Sequence, residues 1–193
     1  MSIKRVVKLL KNIRSFADEY SDEQNPFYRE RTRDLGEEIR GRLIQGLVSG
    51  YDINGHRFQS LKDSTMKVRQ HRGVSGKTPL RAGGGIEGFL HSDNLFTTGT
   101  LQVKLNSPDE EYMTLQNEGF TPTYVPGVRK NGDLAKKRDG SIAFIKNSGH
   151  DVPARQWYGI PKSYREGGGK YKEFINRVAK ALDIEFGKAI KKG

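Results

Sequence analysis

Val152-Pro153-Ala154-Arg155-Gln156-Trp157-Tyr158-Gly159-Ile160-Pro161 is the stretch around which the rest of this chain is read. Each proline fixes φ and removes a backbone donor, so the stretch is extended and not helical throughout. Gly159 permits a bend or a close backbone approach just after two large aromatics. Arg155 presents five donors in a rigid fork that suits a carboxylate or carbonyl on a neighbouring chain. Trp157, the only tryptophan, and Tyr158 serve either as a core anchor or as a contact. No catalytic group stands here; the segment argues for shape and contact.

Working outward, the composition sets bounds. A chain of 193 residues reads as a single domain, residues 1–193, with extended arms, and its size allows burial of roughly 70% of its surface. Only 34% of the residues are apolar, 30% are charged and 23 are glycine, which is lean for a compact globule and implies long loops ordered by neighbours. The net charge of +11 favours polyanions, meaning nucleic acid or acidic protein surfaces. The absence of cysteine excludes a disulfide framework and thiolate metal sites. No apolar run approaches the roughly 20 residues that span a bilayer, and the basic start lacks the apolar core and cleavage site of a signal peptide. A soluble chain, intracellular when made, is the expectation.

Residues 1–24 hold a basic amphipathic helix, with Ile3, Val6, Val7, Leu10, Ile13, Ala17 and Tyr20 on one face and Lys4, Lys8, Lys11 and Ser15 opposite. Such a helix docks on its own domain, on a partner or on a membrane surface. Asn25-Pro26 then marks a helix start, with Leu35, Ile39, Leu43 and Leu47 carrying it to Ser49 and Gly50 ending it. Gly36, Gly41 and Gly46 each cost about 1 kcal/mol there, which close packing must offset. A short basic helix is expected over Leu61–His71, a glycine-rich loop over Gly73–Gly88, and a half-buried strand over Thr100–Leu105. Ser107-Pro108-Asp109-Glu110 reads as a capping box opening a helix over Pro108–Glu118, with Tyr112 and Leu115 inward. Residues 121–140 form a protruding arm with turns at Asn131-Gly132 and Asp139-Gly140, followed by a strand at Ile142–Ile145. Gly167-Gly168-Gly169 precedes a last helix striped with Tyr171, Phe174, Ile175, Val178, Leu182, Phe186 and Ala189.

The positive charge lies in three segments: residues 1–14, residues 62–81 and residues 128–140. The last two are loop-dominated, and the remainder of the chain is near neutral. Lys67, Arg69, Arg72, Lys77, Arg81, Arg129, Lys130, Lys136, Lys137 and Arg138 are thus the candidates to face DNA, reading phosphate and not sequence. A merely solvated surface accounts for the same charges.

Chemistry-bearing constellations are missing from the sequence. His56, His71, His91 and His150 show no zinc spacing, and no nucleophile elbow occurs. Gly73-Val74-Ser75-Gly76-Lys77-Thr78 imitates a phosphate-binding loop, but His71 stands at the first glycine position and Pro79 keeps Thr78 from opening a helix. No catalytic residue, metal or cofactor is therefore expected, and the protein reads as a non-enzyme.

Four short segments carry a likeness: Gly55, Phe58 and Leu61; Pro79-Leu80; Tyr112 through Gln116 to Gly119; and Pro153-Ala154-Arg155-Gln156-Trp157-Tyr158-Gly159. In order and spacing they resemble the virion morphogenesis (tail-completion) family of Mu-like tailed bacteriophages, over roughly residues 50–190. Phe58 replaces a tryptophan, Ser60 and Gln156 stand where proline is usual, and Gly83–Gly88 looks like an insertion. The resemblance implies an α+β fold, an antiparallel sheet flanked by N-terminal and C-terminal helices with long loops. It also implies a structural virion protein of the neck, assembled in the host cytoplasm, forming a homo-oligomeric ring, hexameric by preference, at the head–tail junction. Its partners would be portal or adaptor and tail-tube or tail-terminator proteins, with genomic DNA in the channel and no membrane. Arg155, Trp157, Tyr158, Tyr124 and Tyr112 are the expected subunit or partner contacts. The competing reading is a basic, non-structural nucleic-acid-binding protein.

Overall fold

The computed structural model describes residues 3–22, 24–74, 78–80, 85–149 and 151–191. The fold is α+β, with long helices at both ends of the chain and short antiparallel strands between them. The strands form two separate two-stranded ladders, not one sheet. The chain divides into two compact units, one made of Met1–Ile39, Phe96–Leu105 and Ile160–Gly193, the other of Arg40–Leu95 and Asn106–Gly159.

In the first unit, α1 (Ile3–Ser21) packs on α6 (Gly169–Lys191). The contact is made by the second half of α1: the Phe16 ring lies 5.2 Å from Phe186, and Asn12 Nδ2 donates to the Ala189 carbonyl at 3.1 Å. No residue of α1 is buried, and its first turns leave Ile3, Val6, Val7 and Leu10 exposed. Helix α2 (Pro26–Ser49) starts where Asn25 and Pro26 say it should: Asn25 Oδ1 accepts from the Phe27 amide at 2.8 Å, the N-cap bond. Glu38 and Arg177 join α2 to α6 at 2.6 Å, beside the buried Phe174 and Val178. The strands β1 (Phe96–Gly99) and β2 (Gln102–Leu105) pair in register Phe96↔Leu105. The second strand begins two residues later than its alternation predicts, because Thr100 and Leu101 make the hairpin turn, with Leu101 at φ 52°.

The second unit is built around Leu43, Leu47, Ile53, Phe58, Ile86, Leu90, Leu95, Met113, Ile142 and Trp157, all buried. Its helices are the last turns of α2, α3 (Asp63–His71), α4 (Gly85–His91) and α5 (Glu111–Glu118). Helix α4 takes in the end of the stretch expected as loop, Gly73–Gly88, because Ile86 and Leu90 have core to fill. Arg40 caps it by donating to the Leu90 and Ser92 carbonyls at 3.2 and 3.0 Å. Helix α5 starts three residues later than its proline and acids imply. Glu110 is its N-cap and makes no side-chain cap bond, so the capping box is not formed. The Asn106 amide instead donates to the Leu95 carbonyl, holding the approach outside the helix. Tyr112, expected inward, is exposed, and Met113 takes the buried position.

Residues 124–146 form the arm. Strands β3 (Tyr124–Pro126) and β4 (Phe144–Lys146) pair antiparallel, while isolated bridges join Val128 to Leu134 and Lys136 to Ile142. The three chain passes meet at Gly127, Ala135 and Ala143. Their backbones form a closed cycle, with Ala135 N donating to Gly127 O, Ala143 N to Ala135 O and Gly127 N to Ala143 O, at 2.8–2.9 Å. These small residues recur every eight positions, in Gly127-Val-Arg-Lys-Asn-Gly-Asp-Leu134, Ala135-Lys-Lys-Arg-Asp-Gly-Ser-Ile142 and Ala143-Phe-Ile-Lys-Asn-Ser-Gly-His150. A Cβ on Gly127 would stand 3.3 Å from both the Ala135 Cβ and the Ala143 carbonyl oxygen, so a larger residue there would press on both neighbouring passes. The first two repeats close alike. Gly132 and Gly140 turn at φ 83° and 82°, and the Arg129 and Lys137 amides donate to the carbonyls of Asp133 and Ser141, both at 2.8 Å.

The glycines of α2 separate on packing. A Cβ on Gly46 would lie 2.9 Å from the Tyr51 carbonyl oxygen, whereas one on Gly41 meets nothing within 4 Å. Gly41→Ala is therefore expected to raise the free energy of unfolding by about 1 kcal/mol, and Gly46→Ala to lower it. Urea denaturation of the two variants beside the parent checks the pair.

Candidate functional site

The stretch from Val152 to Tyr158 belongs to no helix and is tied along its length to the rest of the second unit by backbone bonds. The Val152 amide pairs with the Phe120 carbonyl at 2.8 Å, the Arg155 amide donates to the Gln116 carbonyl at 3.0 Å, and the Gln156 carbonyl accepts from the Ile53 amide at 2.9 Å. The Tyr158 amide donates to Asn117 Oδ1 at 3.0 Å. Trp157 is 1% exposed, with its indole N–H on the Met113 carbonyl at 3.2 Å and its ring edge-on to Phe89. Trp157 is thus a core anchor: a side chain this enclosed cannot meet a neighbouring subunit in the folded unit, and that expected contact is corrected.

Pinning the backbone on both sides of Arg155 drives its side chain inward. Arg155 is only 6% exposed, yet its guanidinium has one long bond, to the Pro153 carbonyl at 3.5 Å, and its Nε has no protein partner. It lines a cavity of about 560 Å3 that also takes in Lys62, Arg69, Tyr112, Gln116, Asp151 and the apolar Leu61, Leu80, Ile86 and Val152. Burial lowers the affinity of Arg155 for its proton, and the like charge of Arg69 adds to the effect. Arg69 is shifted the same way by burial and donates to the Thr78 carbonyl at 2.9 Å. Asp151 is the one described carboxylate on the wall, and it already accepts from the Thr121 hydroxyl at 2.6 Å. The wall therefore offers cationic donors beside apolar surface, suited to holding an anion.

The other expected residues lie elsewhere. Arg129, Lys130, Lys136, Lys137 and Arg138 are all exposed on the arm, and the octad repeat adds Lys146, in the position of Lys130 and Arg138, which reading the sequence by turns alone does not single out. Lys67 is turned to the arm from α3, donating to the Gly132 carbonyl and facing Asp133 at 3.5 Å. Arg72 is exposed at the end of α3. Lys77 and Arg81 lie outside the described residues, as do Ser75 and Gly76 of the loop that imitates a phosphate-binding motif. Tyr124 is 62% exposed on β3, and Tyr158 is half-buried. Structure thus joins Arg69 to Arg155 and Lys67 to the arm. That Lys62, Gln116 and the apolar wall meet at one cavity was not readable in the sequence, because four distant segments supply them.

No protein-family model matches the chain, and no curated protein or solved structure matches it either.

Burial raises the Tyr158 hydroxyl to about 12, above its ordinary value near 10, and that hydroxyl has no protein partner. The neutral form is favoured in the folded state, so the stability it contributes is whole below pH 10 and declines as pH rises towards 12. Tyr158→Phe is expected to equal or exceed the parent at pH 7 and to lose part of the alkaline decline, up to about 1.4 kcal/mol per pH unit. Urea unfolding at pH 7, 10 and 11 measures both.

Proposed function

We propose that this protein is a structural virion subunit of a phage neck, which closes into a ring with its own copies at the head–tail junction. The observation that carries the reading is apolar surface left in solvent on elements that cannot cover it themselves. On α1, Ile3 is 82% exposed, and Val6, Val7 and Leu10 accompany it. On the arm, Tyr124, Val128, Phe144 and Ile145 are exposed as well. On α1 the spacing of these residues makes the apolar surface contiguous, and surface of that kind marks contact sites in assemblies. A ring built from heterologous contacts would cover one element of each subunit with the neighbour's other face. The segments Gly55–Leu61, Pro79-Leu80, Tyr112–Gly119 and Pro153–Gly159 supply the likeness to tail-completion proteins that names the assembly.

In that ring the exposed cations of the arm, with Lys146 among them, are placed to meet the DNA backbone without reading its bases. The ordered junction at Gly127, Ala135 and Ala143 gives the arm a fixed shape, so its two matching turns present Arg129-Lys130 and Lys137-Arg138 in equivalent settings. The alternative, a free nucleic-acid-binding protein, uses the same residues without the ring.

Negative-stain micrographs and sedimentation of the purified protein, alone and with its particle, test the proposal. Rings at high concentration, presence in purified particles, and weak DNA binding by the monomer are expected. A protein that stays monomeric, is missing from particles and binds DNA tightly with a steep salt dependence overturns it in favour of the alternative.

A further inference from the structure

We propose that the cavity lined by Arg155 is a receptor for a polypeptide carboxylate: an Asp or Glu side chain flanked by apolar residues on an extended segment of a partner protein. The proposal deepens the assembly reading, and rests on it only for the identity of the partner. Three observations carry it. Arg155 is almost wholly enclosed but lacks the acid and most of the hydrogen bonds that a buried guanidinium ordinarily has. A second cation, Arg69, stands on the same wall and disfavours the charged form of Arg155, a repulsion that an incoming anion relieves. The rest of the wall is amphipathic, with Leu61, Leu80 and Ile86 beside the polar groups.

That mixture decides between carboxylate and phosphate. A planar guanidinium takes a carboxylate or a phosphate through two parallel bonds, so the apolar wall decides: it suits the side chains on either side of an acidic residue in a peptide. A nucleic acid strand brings one charge per nucleotide and a hydrated backbone, which Leu61, Leu80 and Ile86 do not accommodate. Duplex phosphates, fixed on a cylinder, cannot reach a side chain as enclosed as Arg155. The exposed arm remains the place for DNA, so one unit holds two cationic features of different selectivity.

The experiment uses the full chain and two acetylated, amidated pentapeptides, Leu-Val-Glu-Leu-Pro and its Leu-Val-Gln-Leu-Pro twin, with a ten-residue oligodeoxythymidylate as phosphate source. Calorimetric titration is expected to show the Glu peptide binding about 10- to 100-fold more tightly than the Gln peptide, as for a hydrogen bond to a charged group. Arg155→Met should erase that preference, and Arg155→Lys should keep part of it, because a point charge replaces the fork. Arg69→Gln, farther from the core, should weaken the Glu peptide alone and serves as the second variant if Arg155→Met is not folded by circular dichroism. Equal binding of the two peptides, or no binding of either, overturns the proposal. So does oligonucleotide binding that Arg155→Met or Arg69→Gln abolishes while the peptides are unaffected. Rings without peptide binding remove this proposal and leave the neck reading standing; peptide binding without rings does the reverse.

Discussion

The indole N–H of Trp157 on the Met113 carbonyl, 3.2 Å away inside the second unit, is the bond on which the rest turns. It fastens an extended segment to the middle of α5, and the amides of Arg155 and Tyr158 complete the fastening on Gln116 and Asn117 one turn later. Gly119 then makes room for the crossing: a Cβ there would stand 2.7 Å from the Ala154 nitrogen. A helix end normally leaves carbonyls without partners. Here the Gln116 carbonyl receives one from the extended segment, so the last turn of α5 and the segment satisfy each other. Arg155, between Ala154 and Gln156, has no freedom to swing outward. Its burial is a consequence of the crossing and not of any attraction for its charge.

The arm obeys a different constraint. Three passes converge where Gly127, Ala135 and Ala143 meet, with little room for a side chain at Gly127, and the backbone cycle they close fixes the distance between the passes. Outside the junction each turn is held by its own polar residue: Asn131 Nδ2 donates to Asp133 Oδ2 at 2.8 Å, and Ser141 Oγ donates to Asp139 Oδ1 at 2.7 Å. The side-chain bond from Ser141, with its amide, keeps Asp139 ionised to lower pH than an ordinary aspartate. Both acids are thus engaged in shaping turns, and the neighbouring lysines and arginines face solvent.

Legibility in the sequence followed the range of the interaction. Asn25-Pro26 and the apolar spacing of Leu35, Ile39, Leu43 and Leu47 disclosed α2 to the residue, since cap and periodicity are local. Helices α1 and α6 were legible from their apolar stripes, which are local in the same way. Ser107-Pro108-Asp109-Glu110 misled, because a cap motif competes with the tertiary bond from Asn106 to Leu95, and the tertiary bond prevails. Strand β1 passed unnoticed because Phe96-Thr97-Thr98-Gly99 is short and its stabilising partner is β2. The arm was found as turns, but its octad repeat lies in the spacing of two alanines and a glycine, a signal that only the junction explains. Arg155 stood out in sequence from its setting beside Trp157, read there as a contact on a neighbouring chain. That it would be enclosed, with Arg69 for company, depended on four segments whose convergence no local rule describes.

The central claim is that Arg155 is held desolvated without a counter-charge, so that the free protein carries a cost which a partner's carboxylate relieves. Replacing a buried, unpaired charge by an apolar side chain of similar length removes that cost, whereas removing one member of a satisfied pair is strongly destabilising. The most direct measurement is the thermal unfolding midpoint of Arg155→Met beside that of the parent, both without any partner. The account predicts a midpoint equal to or above the parent's. A fall of several degrees would mean that Arg155 is already paired and stabilising in the free chain, and would contradict it.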